Sequence, residues 1–114
     1  VFAGPGAAEA KRAAPVLAAL PDALNFCGNL SLAEVAACMR RSAIFIGNDS
    51  GLMHIAAAAE APALGLFGRS RVDEYAPAGP RTAWVVAPGP AGEAPMEGLS
   101  VGQVVAAARA LLCA

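Results

Sequence analysis

Apolar residues along the chain fall into short continuous runs separated by alanine-rich stretches dotted with charge, and this alternation of segment types predicts the elements. Val1-Phe2-Ala3 is a strand stub closed by Gly4-Pro5-Gly6, and Ala7 to Leu20 suits a helix that Pro15 is expected to kink or shorten. Leu24 to Cys27 is the second strand. Asn29 or Ser31 then caps a helix through about Arg41, with Glu34 three residues after Ser31 as a capping box. Ala43 to Ile46 is a β-branched and aromatic run ended by Gly47, followed by a helix to about Glu60 that Asn48, Asp49 or Ser50 can cap. Ala63 to Phe67 is the next strand, Gly68 to Pro80 a loop, Thr82 to Ala87 a strand and Pro88 to Gly98 a second loop. Ser100 caps a last helix, Val101 to Leu112, whose Val101, Val104, Val105, Ala108, Leu111 and Leu112 recur at helical spacing.

Strands that are apolar throughout, separated by helices, belong to parallel sheets covered on both faces. The prediction is therefore an α/β, doubly wound, Rossmann-like parallel sheet of about five strands. Its first strand is short, and a chain opening on Val1 without Met is expected to continue upstream, with the first strand-helix unit of the domain lying before it.

Composition narrows the function classes. Of the 114 residues 57% are apolar and the mean hydropathy is +0.54, yet the longest uncharged runs, such as Thr82 to Gly92 and Gly98 to Ala108, are far short of the roughly 20 residues that span hydrocarbon. Eight basic residues against nine acidic ones, scattered in pairs, leave no electrostatic footprint for a nucleic-acid backbone. Three cysteines without CxxC spacing and one histidine argue against a disulfide framework or a structural zinc site; Cys27, Cys38 and Cys113 read as small hydrophobes in a reducing compartment.

Two segments invite chemistry. Gly4-Pro5-Gly6 resembles the start of a G-x-G-x-x-G pyrophosphate cradle, but the third glycine position holds Glu9, and Asn25 stands near where a ribose-binding acid belongs, so a plain strand-to-helix turn is the stronger reading. Gly47-Asn48-Asp49-Ser50-Gly51-Leu52-Met53-His54 joins a buried strand to a helix at the carboxyl edge of the sheet, where α/β folds bind ligands. Free N–H groups at Ser50, Gly51 and Leu52, with the helix dipole, suit a diphosphate; Gly51 admits close approach, and His54 shares a helix face with Ser50. Asp49 repels phosphate but can accept hydrogen bonds from sugar hydroxyls. The alternative, equally weighted on these grounds, is that Asp49 or Ser50 merely caps the helix and His54 packs or lies on the surface. Gly68-Arg69-Ser70-Arg71 reaches the same edge, where Arg69, Ser70 or Arg71 meets phosphate or forms a solvated loop, and Tyr75 is a ligand wall or a loop anchor.

Taken together, Leu30 to Ala36, Ile46 to Ala58, Leu64 to Gly68 and Tyr75 to Arg81 resemble glycosyltransferase family 9, the ADP-heptose:lipopolysaccharide heptosyltransferases. The resemblance implies the C-terminal, donor-binding half of a GT-B enzyme, with residues 1–114 forming a nucleotide-sugar binding domain. It implies that Asp49 binds heptose hydroxyls and that Ser50, Gly51 and His54 hold the diphosphate, with Gly4, Pro5 and Glu9 lining the adenosine pocket and Gly68 and Ser70 completing the donor set. The family usually has Gly-Pro-Thr or Gly-Pro-Ser where this chain has Gly68-Arg69-Ser70, so a different local turn is expected. No DxD motif is present and metal-independent transfer, without a cofactor, is implied. The acceptor domain, which brings the lipopolysaccharide core and the catalytic base, is expected upstream, leaving these 114 residues inactive alone and prone to self-association. The implied location is cytoplasmic, peripheral at the inner membrane. A GT-B transferase domain for another nucleotide sugar and a non-catalytic α/β interaction module are the alternatives.

Overall fold

The computed structural model describes residues 1–114, which divide into two compact units, Val1–Val35 and Ala36–Ala114. The first holds β1 (Phe2–Ala3), α1 (Ala7–Ala19) and β2 (Phe26–Cys27), with the two short strands paired in parallel, Phe2 opposite Phe26. α1 continues past Pro15 to Ala19, so the proline does not end it. Gly6 begins it at a φ of 109°, a conformation that requires glycine, and Gly28, at a φ of 72°, is pressed against the Pro5 backbone. β2 is two residues rather than four, and Leu24 stays 69% exposed.

The unit boundary falls inside α2 (Leu32–Arg40), which Ser31 opens. Ser31 N–H donates to Glu34 Oε1 at 2.9 Å and Glu34 N–H to Ser31 Oγ at 3.2 Å, which completes the capping box. Asn29 takes no part: its side-chain amide donates to the Asn25 carbonyl. Hydrogen bonds from the Ser31 backbone N–H and hydroxyl hold the Glu34 carboxyl below its ordinary range.

The second unit is a three-stranded parallel sheet in the order β3 (Phe45–Asn48), β4 (Ala63–Phe67), β5 (Thr82–Val86). The five expected strands are thus present and parallel but hydrogen-bond as two sheets, of two and three strands. Helices lie on both faces of the larger sheet. A Cβ on Gly65 of β4 would fall 2.7 Å from Met53 Sδ in α3 (Gly51–Ala58), whereas the next residue, Leu66, lines an apolar cavity with Val101, Val104 and Val105 of α5 (Val101–Leu112). Successive residues of a strand point to opposite faces, so α3 and α5 sandwich β4. That is why β4 is apolar throughout: Ala63, Leu64 and Phe67 are fully buried, and removing a side chain like Leu64 or Phe67 from water contributes about 1.5–3 kcal/mol.

Further differences from expectation lie at β3 and in the two long loops. β3 starts two residues later than Ala43 and runs through Gly47 to Asn48, because the Phe45 ring folds over Gly47, where a Cβ would lie 2.6 Å from it. Glycine here makes room for an aromatic ring inside the strand instead of ending it. The expected loop after Gly68 contains a single helical turn, α4 (Val72–Tyr75), and a 3₁₀ turn at Met96–Gly98 precedes Ser100, which closes a second capping box with Gln103. All three cysteines are free, and no helix is long and apolar enough to cross a membrane.

Candidate donor-binding site

β3 ends at Asn48 and α3 begins at Gly51, so Asp49 and Ser50 form the turn at the carboxyl edge of the sheet. Ser50 occupies the N-cap position in extended conformation, yet its side chain makes no capping bond, and the Asp49 carboxylate is directed elsewhere. Capping, which fits the sequence of this turn as well as ligand binding does, is therefore not what either side chain does here. The Gly51 and Leu52 N–H groups have no partner, so the positive end of the α3 dipole is unsatisfied.

Gly51 is exposed, adopts an ordinary φ, and has nothing within 4 Å of where a Cβ would stand. Neither backbone conformation nor internal packing calls for glycine at this position. His54, one turn along α3, is 46% exposed and places Nε2 at 3.7 Å from Asp49 Oδ1; Asp49 is itself only 19% exposed. The second carboxylate oxygen, Oδ2, accepts a hydrogen bond from the Ser70 hydroxyl, which lies three residues beyond the end of β4. One carboxylate thus joins the loops that follow two adjacent parallel strands.

The basic residues of the second loop divide. Arg71 donates to both Asp73 carboxylate oxygens, at 3.2 and 2.6 Å, and lies 3.5 Å from Glu74; the bonds to Asp73 push its guanidinium further toward the charged form and hold the Asp73 carboxyl below its usual range. Its charge is matched within α4. Arg69 is exposed and makes no ion pair, which leaves it the available cation on this loop. Tyr75 is half exposed at the end of α4.

Residues 1–96 match the family Glycosyltransferase family 9 (heptosyltransferase). The chain belongs to glycosyltransferase family 9. Its fold is also that of a crystal structure titled as the glycosyl transferase family 9 from Veillonella parvula DSM 2008, at 24% sequence identity and a TM-score of 0.80. That likeness covers 98% of this chain and 36% of the other, so this family 9 chain spans about a third of that protein's length. No match is found among curated proteins.

Within the family 9 chain, the sequence-predicted residues Asp49, Ser50, Gly51, His54 and Ser70 come together in the second unit. Gly68 is also there, but its backbone abuts Met96, where a Cβ would fall 2.9 Å from the Met96 nitrogen, so packing alone accounts for this glycine. Gly4, Pro5 and Glu9 belong to the first unit: Pro5 packs on Gly28, and Glu9 pairs with Arg12 at 3.0 Å. The bond between Ser70 and Asp49 links residues 21 apart, and the sequence carries no signal of it beyond the position of both after strands. The apolar cavity of about 230 Å³ between Leu66 and α5 holds no charged side chain and does not suit a diphosphate.

Proposed function

We propose that this chain is the donor-binding domain of a glycosyltransferase that moves heptose from ADP-heptose to the lipopolysaccharide inner core. The observation that carries the reading is the unobstructed start of α3: unpaired N–H groups, open space at Gly51, and the exposed His54 beside the Asp49 carboxylate. In this reading the diphosphate sits on the Ser50-Gly51-Leu52 backbone with His54 as a further donor, and Asp49 accepts hydrogen bonds from heptose hydroxyls.

The chemistry is displacement at the anomeric carbon. An acceptor hydroxyl forms the new C–O bond and loses its proton to a base from an upstream acceptor domain, as the bond to the β-phosphate oxygen breaks and ADP leaves with the electron pair. Negative charge grows on that oxygen in the transition state, where the α3 dipole, its N–H groups and His54 stabilise it without reorganising. Metal-independent transfer at the cytoplasmic face of the inner membrane belongs to the same proposal, as does the inability of these 114 residues to turn over alone.

Calorimetry with ADP and ADP-heptose tests it. Both are expected to bind, with Asp49→Ala weakening ADP-heptose about tenfold or more while leaving ADP within about twofold, since a hydrogen bond to a charged group contributes about 1.5–3 kcal/mol. Equal losses for the two ligands would remove the sugar-contact role of Asp49. Stronger binding of UDP- or GDP-sugars would replace the donor, and no binding of any nucleotide would leave a non-catalytic module.

A further inference from the structure

We infer that Ser70 is a positioning residue for the donor sugar, acting through Asp49 instead of touching the donor's phosphates. This rests on the proposed role of Asp49 as the sugar-binding carboxylate. A serine hydroxyl has one proton to donate, and in this structure it goes to Asp49 Oδ2. Ser70 therefore has no proton left for a phosphate oxygen, which needs donors. It keeps only acceptor capacity toward a ligand.

The effect falls on Asp49. The carboxylate hangs on two torsions at the end of β3 and, without a partner, would sample several rotamers. Bonding at Oδ2 selects one of them and leaves Oδ1, on the His54 side, as the less encumbered oxygen: the 3.7 Å to His54 Nε2 is longer than a hydrogen bond. A sugar hydroxyl then meets an acceptor already oriented, and less of the binding energy is lost in fixing it.

Ser70 can impose this because its own loop is braced. Gly68 lies against the Met96 backbone, and a Cβ on Gly92, at a φ of 80°, would stand 3.4 Å from Arg71 Cγ and 3.8 Å from the Arg69 carbonyl. The segment leading to α5 thus packs on both sides of Ser70. Arg71 is further tied to Asp73 and Glu74. These neighbours restrain the Ser70 backbone independently of the carboxylate.

The test compares Ser70→Ala, Ser70→Thr and Asp49→Ala in the 114-residue chain by calorimetry with ADP and ADP-heptose, alongside thermal denaturation. Ser70→Ala is expected to weaken ADP-heptose about three- to tenfold and leave ADP within about twofold while the chain still unfolds in one cooperative transition, because losing one hydrogen bond loosens the orientation of the carboxylate without removing it. Ser70→Thr, which keeps the hydroxyl, should restore the wild-type affinity. The inference is overturned if Ser70→Ala weakens both ligands equally, weakens neither, or is not rescued by threonine. When Asp49→Ala separates the two ligands and Ser70→Ala does not, the positioning role alone fails. If Asp49→Ala does not separate them, or the wild-type chain binds neither ligand, the donor-site reading fails and takes the inference with it.

Discussion

Gly51 and Gly65 are the same residue type used for opposite reasons. Gly65 is filled from outside itself: Met53 Sδ and the Phe67 ring occupy the space a side chain would take, so its lack of a Cβ belongs to the core. Gly51 faces open space with an ordinary backbone, and nothing within the chain explains it. A residue that neither the backbone nor the packing requires, beside unpaired N–H groups, fits the proposed donor site. The two explanations separate experimentally. Gly51→Ala should leave the chain as stable as the wild type or stabilise it by about 0.5 kcal/mol, because alanine restricts the unfolded chain more than glycine does. On the proposed donor-site reading, the same substitution should weaken ADP at least about tenfold, since the methyl group takes the space proposed for a phosphate. Parallel loss of melting temperature and affinity would assign Gly51 to the fold.

At the scale of elements, the helices differ in how they are capped. α2 and α5 begin with capping boxes, Ser31 with Glu34 and Ser100 with Gln103; the sequence shows the first as a box and the second only as a Ser100 cap. α3 has a serine at its N-cap and leaves it unused. The difference gives α2 a pH response. Glu34 is held below its ordinary range in the folded chain, so its contribution is complete above the unfolded value and is lost as pH falls through the folded one. Thermal melts of the wild type against Glu34→Gln should therefore keep a constant gap at neutral pH that closes below about pH 4.3. A gap independent of pH would show that the carboxylate charge plays no part in the cap. Boundaries were less legible than caps. Gly47 looks like a strand terminator in the sequence, whereas the Phe45 ring lies over it inside β3, and α4, one turn held by Arg71, Asp73 and Glu74, has no apolar period to reveal it.

For the whole molecule, a net charge of −1 and a pI near 5.7 leave little repulsion between copies, while Trp84 on the terminal strand β5 is 47% exposed and Val101 80% exposed. Attraction between molecules should therefore be strongest close to pH 5.7 and weaken as the chain gains negative charge at higher pH. Static light scattering measures this as the second virial coefficient, expected lowest near that pH; a minimum elsewhere would place the attraction in local charges rather than in the exposed apolar surface. The alternation of apolar strands and alanine-rich helices, the capping boxes and the ordered family blocks were all determined by the sequence, because each depends on neighbours within a few residues. Two matters were decided only by the tertiary structure: the division of five strands between two sheets, and the meeting of Asp49 with Ser70. Strand pairing and side-chain contacts between separate loops depend on how distant segments pack, and a local pattern carries no record of that.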